Sequence, residues 1–251
     1  MTGTGSRWLT LGLCLPGVSW AADPSWPPGP QASPPVWSIR LAGGYASGVV
    51  PEFRQASRDR SDAGLALSWV PEGPVRLDLH WNYLWEDNEI GERAAGPGDV
   101  RLGTDVQLIE RAVDLHLGWQ VKLPNASDEL ELGTDETDST LWLRARSDYG
   151  PVQVGLTAGL AVIGNPLQFA NQDDVPLTWL DLSVPVGTLQ LSGRVGGGWA
   201  TSRNPARLDA SLGLEAGCPW LVGTRAVLGL TPAAADWASQ VWVGWGLSCS
   251  D

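Results

Sequence analysis

Pro74-Val75-Arg76-Leu77-Asp78-Leu79-His80-Trp81-Asn82-Tyr83-Leu84-Trp85-Glu86 carries two chemistries in alternation. Val75, Leu77, Leu79, Trp81, Tyr83 and Trp85 share one parity, and Arg76, Asp78, His80, Asn82 and Glu86 share the other. A period of two puts successive side chains on opposite faces of an extended strand, so this stretch reads as a strand with one greasy and one charged face. The pattern returns at 112–123, where Val113, Leu115, Leu117, Trp119, Val121 and Leu123 oppose Asp114, His116, Gln120 and Lys122. Weaker copies lie at 188–200, around Arg194, and at 206–216, around Asp209 and Glu215.

Breaking the chain at turn residues yields about twelve strands, most of ten to thirteen residues. That is roughly twice the common length in soluble proteins, and a tilted strand needs about 9–11 residues to cross a bilayer. Short connectors (Glu72-Gly73, Glu110-Arg111, Tyr149-Gly150, Val186-Gly187 and Cys218 to Leu221) alternate with long polar segments at 49–61, 87–98, 124–137 and 165–175. Outer-membrane barrels have this rhythm of tight turns on one side and long loops on the other. A secreted β-sandwich also alternates apolar and polar residues. Strand length and the loop rhythm favour the barrel, with the greasy parity toward lipid and the charged parity toward the lumen. The expected fold is therefore all-β: an up-and-down antiparallel transmembrane β-barrel of about twelve strands. Trp37, Tyr45, Trp69, Trp85, Trp199 and Trp237 stand near strand ends, where aromatic girdles form.

Composition agrees. The 251 residues are 43% hydrophobic and 18% charged, which excludes a disordered chain, and the net charge of −12 excludes a nucleic-acid partner. Arg7, the apolar run Trp8 to Val18 and Ser19-Trp20-Ala21 read as a cleaved signal peptide over 1–21. Residues 22–35, rich in proline, read as an extended N-terminal arm, and 36–251 as the barrel. The exported chain keeps Cys218 and Cys249, which are either bonded in an oxidising compartment or two free thiols.

The lumen-facing candidates are Arg76, Asp78, His80, Asp105, Asp114, His116, Lys122, Arg144, Arg146, Arg194, Asp209 and Glu215. Opposite charges on a barrel interior can lock into a ladder or form a selectivity ring. Because dehydrating a full ladder is costly, a wet interior is expected. His80 and His116 are the only histidines. A whole strand between them argues against a metal site unless Asp105 or Gln107 joins, so no metal and no cofactor is expected. A hydrolase would need His80 or His116 with Ser68 or Ser192 as nucleophile, and the Gly-x-Ser-x-Gly elbow is missing. The reading is therefore non-enzymatic. Acids crowd the long segments, among them Asp87, Glu89, Glu92, Asp99, Asp128, Glu129, Glu131 and Asp173. They are either solvated or bridged to lipopolysaccharide through divalent cations.

One stretch is more specific. Ala112 to Leu143 contains Lys122-Leu123-Pro124, a small polar loop, and Leu132-Gly133-Thr134-Asp135-Glu136-Thr137-Asp138 before Ser139-Thr140-Leu141-Trp142-Leu143. Pro124 stops a strand, Gly133 allows a tight return, and Asp138 caps the turn into the next strand. Together with Gly98-Asp99-Val100-Arg101-Leu102-Gly103, this resembles the outer-membrane "transporter" family of the MetA pathway of phenol degradation, although Asp135 stands where that family has glycine. The resemblance implies a Gram-negative outer-membrane, porin-like channel for small molecules, some hydrophobic or aromatic. Its implied partners are outer-membrane lipid and lipopolysaccharide, the insertion machinery and a small solute. A non-conducting structural or surface-interaction barrel is the alternative function, and an outer-membrane hydrolase the third.

Overall fold

The structure, a computed structural model, describes residues 36–49, 58–71, 73–88, 93–127, 130, 132–133, 136–163, 173–201, 205–216 and 219–246. The expected leader and proline-rich arm, Cys218 and Cys249 lie outside the described residues, as do Glu89, Glu92, Asp128, Glu129 and Glu131.

Thirteen strands follow one another: β1 (Val36–Val49), β2 (Arg58–Val70), β3 (Val75–Asn88), β4 (Arg93–Pro97), β5 (Val100–Ile109), β6 (Asp114–Leu123) and β7 (Asp138–Tyr149), then β8 (Val152–Ile163), β9 (Asp173–Val186), β10 (Leu189–Gly198), β11 (Arg207–Ala216), β12 (Trp220–Gly229) and β13 (Trp237–Gly246). Consecutive strands pair antiparallel except β4 and β5, which both lie against β3, and β1 pairs with β13 from Ser38 opposite Gly246 to Ser47 opposite Trp237, so the sheet closes on itself. Closure leaves no free edge, which is what lets strands cross hydrocarbon.

The twelve expected strands become twelve staves, one of them broken. β4 and β5 both pair with β3, β4 along Tyr83 to Asp87 and β5 along Val75 to His80. Pro97 has no N–H to give the ladder, and the Gly98 N–H donates to the Asn82 carbonyl at 2.8 Å. Across this break the parity facing β3's charged side switches from Ala94 and Gly96 to Arg101 and Asp105, which makes it a bulge. Three elements also begin in stretches that read as polar loop. β2 starts at Arg58, β9 at Asp173, and β4 lies wholly within 87–98. Their strands rise beyond the greasy belt, where hydrophobic alternation no longer marks them.

Outside, the belt is apolar: Leu41, Leu77, Trp81, Leu141, Leu212 and Val241 are all exposed. An unbroken greasy surface of this kind is built for hydrocarbon. Aromatic pairs close it at both rims. Trp37 and Trp69 stack at 5.1 Å on the short-turn rim, and Tyr45 meets Trp237 at 5.2 Å on the long-loop rim. The tight turns use glycine where the backbone is left-handed, as at Gly150 (φ 62) and Gly187 (φ 65).

Candidate functional site

The parity that turns away from the belt faces the barrel interior, and every strand arginine except Arg93 lies on it. Arg93 belongs to the rim, 3.1 Å from Asp87. How the interior handles these charges differs from wall to wall.

On the β2–β7 side the charges are packed together and dry. Arg76 grips both carboxylate oxygens of Asp78, at 3.0 and 2.8 Å from Nε, and its Nη2 reaches the Ser68 hydroxyl at 2.8 Å. Ser68 gives its own hydrogen to Asp78. His116 Nδ1 lies 2.9 Å from Asp105 Oδ1, and the two side chains are 1% and 0% exposed. Next to His116 in register is Arg144, whose Nε donates to Thr157 at 3.1 Å. Higher up, Glu86 takes Arg58 at 3.2 Å and also Arg60. Lys122 Nζ lies 2.6 Å from Asp138 and 3.7 Å from Asp99. The expected wet interior is absent from this wall. Pairing Arg76 with Asp78, Arg58 and Arg60 with Glu86, and Lys122 with Asp138 offsets their dehydration cost, and leaving one of these unpaired would cost several kcal/mol.

A second group spans the closing seam. Glu215 accepts from the Trp242 indole at 2.9 Å, and Arg40 reaches it at 3.8 Å from three strands away. Arg225 donates to Ser211 at 2.5 Å.

On β9–β11 the wall is more open. Arg194 Nε is 2.5 Å from Asp181 Oδ1, and the side chains are 11% and 29% exposed. The inward side chains Gln190, Ser192 and Arg194 are only half-buried, as are Arg207 and Asp209. Above this pair, toward the long loops, the same face of β8 and β9 is apolar and buried: Ala161, Ile163, Val175, Leu177 and Trp179.

The β6–β7 loop turns back into the long-loop mouth. Its Ala126 and Leu132 pack on Leu84, the one apolar residue on β3's charged parity. Asp99, at the broken stave, accepts the N–H groups of Asn125 and Ala126, both at 3.0 Å, and the Asn125 amide donates to the Gly98 carbonyl at 3.2 Å. The Leu-Gly of the motif thus serves close approach: a Cβ on Gly133 would sit 2.6 Å from that of Ala126. Asp138 opens β7 and is the partner of Lys122.

Among the remaining candidates, Arg146 faces Asp114 in register and bonds Gln153, while Asp114 accepts the Arg111 N–H at 3.2 Å. Asp209 stands opposite Gly196 and Gly229. His80 and His116 are separated by β5, as the spacing predicts, and it is Asp105 of that strand that His116 meets. Among the described residues no group of three or more suitable side chains could hold a metal. The two serine candidates are engaged elsewhere, Ser68 with Asp78 and Ser192 with the Gly213 carbonyl at 3.5 Å.

Sequence reading missed the interior tryptophans. Trp142, Trp179 and Trp242 lie on the inward parity and are buried. A signal was available, because each stands in register with a glycine on an adjacent strand: Gly118 and Gly159 beside Trp142, Gly196 beside Trp179, Gly223 beside Trp242. Gly118 and Gly223 leave room for the Trp142 and Trp242 indoles to lie flat against the wall. Arg58 and Arg60 were missed because they precede the apolar alternation.

No family model matches the sequence, and no curated protein does. Solved structures match it in shape. The KdgM porin in complex with disordered oligogalacturonate is 10% identical, with a TM-score of 0.55 over 85% of this chain and 99% of that one. An outer membrane channel from Pseudomonas putida F1 is 12% identical, with a TM-score of 0.59 over 85% of this chain and 95% of that one. At such identity the likeness is one of fold, and the fold shared with these channels is a closed antiparallel β-barrel.

Proposed function

We propose that the protein is an outer-membrane channel that passes or binds small solutes through a narrow charged lumen, with lipid against its apolar belt and lipopolysaccharide among its acidic loops. The observation that carries this reading is the inversion of the barrel: charged side chains inside, exposed Leu, Val and Trp outside. The fold shared with a porin and an outer-membrane channel supports it. The packed β2–β7 wall makes the passage much narrower than the barrel circumference, so large solutes are excluded.

Purified protein in a planar bilayer is expected to give small, discrete conductance steps. Cells expressing it are expected to take up a small solute faster than a deletion strain. The dryness of Asp105 and His116 favours a second reading, a barrel that does not conduct at rest. A silent bilayer, with no uptake difference across polar and aromatic solutes, would establish that reading in place of the first.

A further inference from the structure

We propose that the outer wall beside the closing seam holds one acyl chain of a phospholipid from the leaflet on the short-turn side. This rests on the membrane placement of the barrel and adds a ligand site on its lipid-facing surface.

The outer face carries a trough of about 560 Å³ that runs across β10, β11, β12, β13 and β1. Register gives its shape. The floor joins two successive rows of outward side chains, one from Leu189 to Leu41 and the next from Leu214 to Gly43. Strands about 4.8 Å apart make the trough about 19 Å long, and rows about 7 Å apart leave it little wider than a single hydrocarbon chain. A lipid tail is as apolar as leucine, so a site among lipids is won by packing alone. A trough touches a chain on three sides where a convex wall touches it on one.

Three observations name the occupant. Thr224 is the one polar side chain on these two rows, and its hydroxyl donates to the Gln240 carbonyl at 3.0 Å, so only its methyl is left for a ligand. A polar solute or a headgroup has nothing to bond there. The trough also climbs. Leu189 opens β10 just past the tight turn at Gly187, whereas Leu41 and Gly43 lie in the middle of β1. Its course from the short-turn rim to mid-belt is that of one chain through half of a hydrocarbon core about 30 Å thick. Trp220 and Trp245, exposed and in register, stand at the rim, the level at which headgroups meet hydrocarbon. Finally, a Cβ on Gly43 would meet nothing nearer than the Asp62 carbonyl at 3.6 Å, so the backbone does not demand glycine. The space its missing side chain leaves lies on the lipid side.

Photolabelling in vesicles tests this. With full-length protein in phosphatidylethanolamine, a trace of the same lipid bearing a diazirine at the end of one acyl chain is expected to label β1 around Leu41. Labelling there should exceed that at exposed Leu143, mid-strand on β7, by about fivefold, which roughly ten extra carbon–carbon contacts supply. Gly43→Leu and, separately, Thr224→Leu fill the trough and should each bring the two positions level. Ala158→Leu, which adds bulk to the outer face of β8, should leave the excess unchanged. Labelling that is even around the belt, or an excess that survives both filling variants, overturns the site while the membrane barrel stands. So does an excess abolished by adding lipopolysaccharide to the vesicles, which would give the trough to that lipid's chains. Crosslinked dimers that Gly43→Leu disperses would overturn it in favour of a second copy. Protein that does not enter vesicles overturns the membrane placement as well.

Discussion

β3 and β10 show two ways for a strand to carry charge into the same lumen. On β3 every described inward residue, from Arg76 to Glu86, is buried, and its charges are paired with neighbours at hydrogen-bond distance. On β10 no inward residue is buried, and the one charged side chain pairs with an acid that is itself part-exposed. The difference is volume rather than polarity. Long side chains on β3, β5, β6 and β7 meet across the interior and expel water from one another. Serine and glycine on β10 cannot. Dehydration makes each β3 contact indispensable, because an unpaired charge there has no water to turn to, whereas a charge on β10 does.

The sharpest way to break this contrast is to remove one member of a dry pair. Asp78→Ala leaves Arg76 buried without its carboxylate and is expected to cost about 3–5 kcal/mol, read as a lower urea midpoint for unfolding from detergent or lipid. A smaller effect is expected from bulk added to the packed side. Gly118→Leu drives a side chain into the Trp142 indole and should cost about 1–3 kcal/mol. Ser192→Leu, on the open wall, should by contrast leave the midpoint almost unmoved. Equal losses at Gly118 and Ser192 in the same unfolding assay would erase the difference between the walls. The smallest effect belongs to Arg194→Gln, whose partly hydrated pair should yield about 1 kcal/mol or less. A loss there as large as that of Asp78→Ala would mean that β10 is as dry as β3.

Much of this was legible in the residues alone. Strict alternation over 74–86 and 112–123 is enough to assign strands, their inward parity and their membrane-crossing length. It also puts Asp78, His80, Asp114 and His116 on one face, where the closed barrel has them. The break at Pro97 and the strand formed by Arg93 to Pro97 were hidden, because a polar segment above the belt carries no alternation to read. The packing of the β6–β7 loop against Leu84 was hidden for a different reason. A single leucine on a charged parity looks like an irregularity until the loop that covers it is placed.

The amino-acid order by itself determines that a strand's two faces differ, because a period of two is a property of neighbours along the chain and needs no partner to be seen. Which charges meet is decided only by closure and register. Asp105 finds His116, and Arg40 reaches Glu215 across three strands, because the staves are set side by side at particular offsets. Whether water remains beside a charge depends in turn on the summed volume of side chains arriving from all twelve staves, a quantity that no single strand carries.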